Sequence, residues 1–127
     1  MRKVGMHNLV FFFDTYALFE VVRGNQNYSI YQDAVAITTI FNLAEFNYGL
    51  KKEVSELEAD KFTEKFSPAL TSVTIADVKE AMSLKLKNKA LSIPDVIGYT
   101  VAKRLGIKFL TGDEGFKNMP EVEFIKK

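Results

Sequence analysis

The chain has 127 residues, 47% of them hydrophobic and 26% charged, the make-up of one ordinary globular domain long enough to bury a sizeable core. It has no cysteine and one histidine, His7, so disulfides, thiolate chemistry and multi-histidine zinc sites are excluded, and a serine–histidine triad would have to recruit His7 from a basic lead-in. A net charge of +1 gives no global pull towards polyanions, and no apolar run approaches a membrane span or a cleavable leader, so a cytoplasmic protein without a membrane anchor is expected.

Residues 1–7 form that polar lead-in. Asn8 to Phe13 (NLVFFF) is continuously apolar, as a central strand covered on both faces should be, and Asp14 ends it. Thr15 to Arg23 has helical periodicity, and Gly24 stops it. Asn25 to Asp33 is a polar, aromatic-dotted segment that reads as a short second helix, and Ala34 to Thr38 as a second strand. Thr38 or Thr39 can cap the next helix, which runs to about Lys52 and is apolar nearly all round, with Glu45 its one acid before the last turn. Glu53 to Phe66 reads as a surface helix, broken by Ser67-Pro68. Ala69 to Val73 is a weak strand candidate, and Thr74 to Asp77 opens a further helix with a variant capping box.

The most informative stretch follows, from Ser92 to Phe116 (SIPDVIGYTVAKRLGIKFLTGDEGF). Ser92 caps a helix, Pro94 suits its first turn, and Asp95 sits beside unpaired backbone N–H groups. Gly106 closes the helix, Ile107 to Leu110 is a buried strand, and Thr111-Gly112-Asp113 turns the chain at that strand's carboxyl end. Val122 to Ile125 makes a last short strand. Strands alternating with helices predict right-handed crossovers and a parallel sheet with helices on both faces.

Four acids stand out by position: Asp14, Glu45, Asp95 and Asp113. Each aspartate has an innocent reading as a cap or turn former. Together they are harder to dismiss, because two strand-end aspartates in a parallel sheet point to one edge, and a helix packed beside them can add Glu45. Two carboxylates about 5 Å apart repel by roughly 3 kcal/mol at an effective dielectric near 20. A four-acid cluster therefore calls for a hard divalent cation with oxygen ligands, Mg²⁺ or Mn²⁺, and such an ion favours phosphoryl chemistry. Thr15 and Thr111 neighbour these acids and either orient them or make local turn hydrogen bonds. The basic pair Lys103-Arg104, and Lys85, Lys87 and Lys89, are RNA contacts or solvated helix faces. Tyr16, Tyr28, Tyr31 and Tyr48 stack on bases or pack internally.

The order of these residues resembles the PIN-domain nucleases. FFFDTYALFE is similar to that family's opening motif, with Asp14 and Thr15 as the matched pair. AITTIFNLAEF resembles the second motif, with its glutamate at Glu45, and SIPDVIGYTVAKRLG the third, with Asp95. KFLTGDEGF resembles the closing motif, with Thr111, Asp113 and Phe116; Gly112 departs from the asparagine or arginine frequent there, and Ile93-Pro94 is unusual before the third acid. The resemblance implies a single PIN-like domain over residues 1–127, a three-layer α/β/α fold with a mostly parallel central sheet. It also implies an endoribonuclease using Mg²⁺ or Mn²⁺ at Asp14, Glu45, Asp95 and Asp113, most like the VapC-type toxins of prokaryotic toxin–antitoxin pairs. An antitoxin partner and a homodimer follow from the same resemblance. Self-association also fits the apolar excess on the 39–52 helix and the Tyr28/Tyr31 segment. Two other functions compete: a non-catalytic RNA- or protein-binding PIN scaffold, and a receiver-type signalling domain. The second needs a paired acid at the first strand, which residues 8–14 lack.

Overall fold

The computed structural model describes residues 9–127, so the lead-in with His7, and Asn8 at the start of the first predicted strand, lie outside the described residues. In chain order come β1 (Val10–Phe13), α1 (Thr15–Arg23), a 3₁₀ segment (Gln26–Asp33), β2 (Val35–Ile37), α2 (Ile40–Glu53) and α3 (Glu56–Lys65). A 3₁₀ turn (Ser67–Ala69), α4 (Ile75–Lys87), α5 (Ile93–Leu105), β3 (Lys108–Thr111), a second such turn (Glu114–Phe116) and β4 (Val122–Phe124) complete it.

The strands form one parallel sheet in the order β2-β1-β3-β4, with Phe12 opposite Ile37 and Phe109, and Phe13 opposite Leu110. Successive strand side chains point to opposite faces, which explains the unbroken apolar run in β1. Phe11 and Phe13, with Leu110, pack against Leu18, Tyr28, Leu43 and Phe46. Phe12 and Phe109 face the other way and pack against Ala81 of α4 and Val96 and Val101 of α5. The sheet thus divides two hydrophobic cores, and the fold is a three-layer α/β/α sandwich.

Local signals set the helix limits. Thr39, Ser55, Thr74 and Ser92 cap α2 to α5, each side chain accepting the backbone N–H three residues on. Gly24 and Gly106 end α1 and α5 in the left-handed region, at φ 75° and 69°. Thr38, the other cap candidate, instead donates its hydroxyl to the Phe13 carbonyl at 2.9 Å and ties the end of β2 to the end of β1.

Three expectations need correction. Ala69–Val73 forms no strand: Pro68 lies in a 3₁₀ turn just before it and the Thr74 cap follows, leaving room only for a single parallel bridge between Thr38 and Leu70. The Tyr28/Tyr31 segment leaves no aromatic excess for self-association: of stacking on bases and internal packing, these two tyrosines take the second, being 0% and 2% exposed. Their rings enter the core because each hydroxyl finds an acceptor there, Tyr28 on the Ile125 carbonyl at 2.6 Å and Tyr31 on Glu123 Oε2 at 2.5 Å. Finally, α2 is two-sided: Asn42, Leu43, Phe46 and Leu50 are buried, whereas Ile40, Phe41 and Tyr48 are exposed.

The chain leaves β1 towards β2 on one side and β3 towards β4 on the other. The carboxyl ends of β1 and β3 are therefore the topological switch point of the sheet, where open α/β sheets place their ligands.

Candidate active site

Asp14 follows β1 directly, and its amide donates to the Leu110 carbonyl of β3 at 3.1 Å. Because Phe13 pairs with Leu110, the next residues along the two strands, Asp14 and Thr111, meet across the switch point. The Thr111 hydroxyl donates to Asp14 Oδ2 at 2.7 Å while its oxygen accepts the Asp113 amide at 3.1 Å. Asp14 Oδ1 accepts the Thr15 amide at 2.8 Å and so begins α1. Asp95 belongs to a complete capping box: its Oδ2 accepts the Ser92 amide at 2.8 Å, and its own amide donates to the Ser92 hydroxyl at 3.2 Å. Asp113 Oδ1 accepts the Gly115 amide at 2.9 Å. All three aspartates are thus caps or turn formers, but capping employs only one oxygen of each. The second oxygens of Asp95 and Asp113 have no hydrogen-bond partner, and no fully buried side-chain oxygen among the described residues is unpartnered, so both open to solvent.

Charge explains why such an edge is unusual. None of the four acids is in a salt bridge among the described residues. Burial holds the Asp14 carboxyl well above the ordinary 3.8, and the charge of Asp95, then that of Glu45, pushes it further. The Thr111 and Thr15 donors pull the other way. Asp95 is also raised, chiefly by burial; its Ser92 hydrogen bonds oppose this, and the charges of Asp113 and Glu45 add to it. Asp95 and Glu45 thus act on Asp14, and Asp113 and Glu45 on Asp95. Half-buried Glu45 reaches this field from α2.

The other predicted residues divide. Thr15 and Thr111 are buried beside the acids. Lys103 and Arg104 lie in the last turn of α5, about 13 Å along the axis from Asp95 at 1.5 Å per residue. Arg104 is engaged there, its Nε and Nη2 both 2.9 Å from the buried Asp77 carboxylate. Lys85 donates to the Leu91 carbonyl at 2.6 Å and holds the loop that leads to Ser92. One residue escapes the reading of the sequence: Asn42, a fully buried amide on α2 between these segments. Its signal was available, since it lies one turn before Glu45 on the same helix face.

The donor set suits a hard cation. All candidate ligands are carboxylate oxygens, those left uncapped on Asp95 and Asp113 open to solvent, and none is in a salt bridge among the described residues. No three acids among the described residues converge closely enough to ligate one ion at once. That arrangement fits Mg²⁺ or Mn²⁺ better than a fully caged ion, since Mg²⁺ takes one or two carboxylates and keeps several waters.

This is an α/β/α protein with an oxygen-donor site at the carboxyl edge of a parallel sheet. A family model for the PIN domain matches residues 11–122, and the chain belongs to the PIN domain family. No curated protein matches it by sequence. Among solved structures, it is similar to VapC20 of Mycobacterium tuberculosis, a Sarcin-Ricin loop cleaving toxin, with a TM-score of 0.74 at 18% identity over 91% of this chain and 98% of that one. A toxin–antitoxin complex from Klebsiella pneumoniae matches with a TM-score of 0.70 at 20% identity, over 88% of this chain and 94% of that one. VapBC2 of Rickettsia felis bound to a promoter DNA fragment matches with a TM-score of 0.68 at 13% identity, over 93% and 98%. At these identities the likeness is one of fold.

Proposed function

We propose that the chain is a divalent-metal-dependent endoribonuclease that hydrolyses RNA phosphodiester bonds, acting as the toxin of a toxin–antitoxin pair. The observation that carries this reading is the edge itself: Asp14 is clamped by Thr111 at the switch point with the charges of Asp95 and Glu45 acting on it, Asp113 acts in turn on Asp95, and no salt bridge among the described residues offsets them. Of Asp14, Glu45, Asp95 and Asp113, one or two would bind Mg²⁺ or Mn²⁺ directly and the others would act through its waters; the ion supplies an activated water and steadies charge on the phosphate. Thr111 fixes the rotamer of Asp14 and the entry to Asp113, so two acids move as one unit. The caps of Ser92 and Gly115 immobilise Asp95 and Asp113, leaving one oxygen of each directed outward. Lys103 and Arg104, at the far end of α5, would meet RNA away from the scissile phosphate.

Family membership and the fold shared with VapC20 support the toxin role, and the toxin–antitoxin complexes among the similar structures support an antitoxin partner. The exposed Ile40, Phe41 and Tyr48 of α2 offer apolar surface to a partner, and light scattering reads whether a second copy covers it. The function is tested by incubating labelled RNA with the protein in Mn²⁺ and then in EDTA. Internal cleavage that stops on chelation is the expected result. Metal binding without cleavage would instead favour a non-catalytic scaffold.

A further inference from the structure

We infer that Asn42 is a positioning residue for the acidic edge, locking together the three chain segments that carry Asp14, Glu45 and Asp95. Its side chain is completely buried and every polar atom is engaged. Thr39 Oγ1 donates to Asn42 Oδ1 at 2.7 Å, and the same oxygen accepts the Asn42 amide at 3.3 Å. Asn42 Nδ2 donates to Thr15 Oγ1 at 3.2 Å and to the Pro94 carbonyl at 3.5 Å. A carbonyl oxygen only accepts, so the Pro94 contact fixes which way round the amide lies. The three segments are well placed. Thr15 adjoins Asp14, Pro94 adjoins Asp95, and Glu45 follows Asn42 by one helical turn.

The close approach is built in. A Cβ on Gly98 would lie 3.2 Å from Asn42 Oδ1 and 2.8 Å from the Phe12 ring, so glycine there lets α5 settle against both β1 and Asn42. The donated bond also acts on Thr15. Its oxygen accepts from Nδ2, so its own hydroxyl proton must point elsewhere than at Asn42, leaving it free to donate towards the acids. An apolar residue of similar size would fill the same space and supply neither effect.

The inference rests on the metal-site reading proposed above, and metal affinity is measured without RNA to keep the two apart. In Asn42→Leu, calorimetry well below the melting temperature should show Mn²⁺ binding weakened by about 10–100-fold, the range for a residue that orients metal ligands. At saturating Mn²⁺, kcat for RNA should fall while KM holds. Asn42→Ser, which keeps a hydroxyl but cannot span the three segments, should weaken Mn²⁺ binding to a smaller degree and carries the test where the leucine variant does not fold. In the wild type, the Asn42 side-chain amide resonances should shift on titration with Mg²⁺. Wild-type Mn²⁺ affinity in a folded variant, or amide resonances that ignore Mg²⁺, would overturn the positioning role alone. A wild type that binds Mn²⁺ but cleaves no RNA overturns the ribonuclease reading and leaves this one standing, whereas one that binds no metal overturns both.

Discussion

Gly112 and Tyr16 occupy adjoining space at the edge of the site: a Cβ on residue 112 would lie 2.3 Å from the Tyr16 ring and 2.5 Å from the Ile125 carbonyl oxygen. The ring can swing, but the carbonyl belongs to the backbone after β4. The glycine that departs from the family's usual residue therefore has a local cause. Tyr16 takes the room a side chain would use, and its hydroxyl accepts the Lys127 amide at 3.2 Å. We expect Gly112→Ala to destabilise the fold by about 1–3 kcal/mol, as overpacking does. Because Thr111 and Asp113 flank it, Mn²⁺ binding should weaken as well. Thermal melts and calorimetry on that variant check both, and an unchanged melt would mean the turn relaxes freely.

Asp14→Asn separates a cap from a member of a charged cluster. A cap alone would barely notice, since asparagine caps nearly as well as aspartate. Removal of a buried charge facing Asp95 and Glu45 should instead stabilise the metal-free protein by ~1–3 kcal/mol. The sign with pH follows from the raised folded value. Ionisation of Asp14 opposes folding, so the variant's advantage in EDTA is full above the raised folded value, shrinks as pH falls through it and closes below 3.8, where the wild-type carboxyl is neutral in both states. RNA cleavage should drop by about 10² or more. Melts across pH in EDTA, beside one cleavage assay, decide it.

Metal should stabilise the wild type. At about 100 times its dissociation constant a ligand of the native state adds roughly 2.7 kcal/mol. The melting temperature in millimolar Mn²⁺ should therefore exceed that in EDTA, and Asp14→Asn should lose most of the increase. Coincident melts would remove the case for an ion at this edge.

The Asp77–Arg104 pair makes an independent prediction. Arg104 holds the Asp77 carboxyl below the ordinary 3.8, so the pair's contribution is fully present above that value and is lost as pH falls through the lower folded value. Asp77 also completes the cap on α4, bonding the Thr74 amide at 2.9 Å. Asp77→Ala should cost about 1 kcal/mol through the cap alone and flatten acid unfolding below pH 4. A variant with wild-type acid sensitivity would show that the ion pair contributes nothing.

The strands, the helices and the four acids were legible because their signals are local: an apolar run, a cap, a glycine stop, an acid at a strand end. What was missed depends on partners distant in sequence. For Tyr28 and Tyr31 the choice between base stacking and internal packing turns on acceptors from the far end of the chain, Ile125 and Glu123. Ala69–Val73 has strand composition, yet the bridge at Thr38 sets how little of it pairs. Asn42 reads as one polar residue on a helix, and only the meeting of Thr15, Thr39 and Pro94 gives its amide work. For Asp95 and Asp113, cap and ligand do not exclude each other, because a carboxylate has two oxygens and can serve both.

The clamp between Thr111 and Asp14 joins residues 97 positions apart. Parallel pairing over such a separation forms late, since loop closure must precede any gain from the contact. On a chain still being synthesised at ~5–20 residues per second, Asp14 waits about 5–19 seconds for the end of β3 to follow it, and Asp95 about 1–3 seconds. Until then the sheet has no switch point and the acids no common edge. An acidic edge built this way cannot assemble while the chain is still being translated, because its last strand and last acid, β3 and Asp113, are the final parts of it to leave the ribosome.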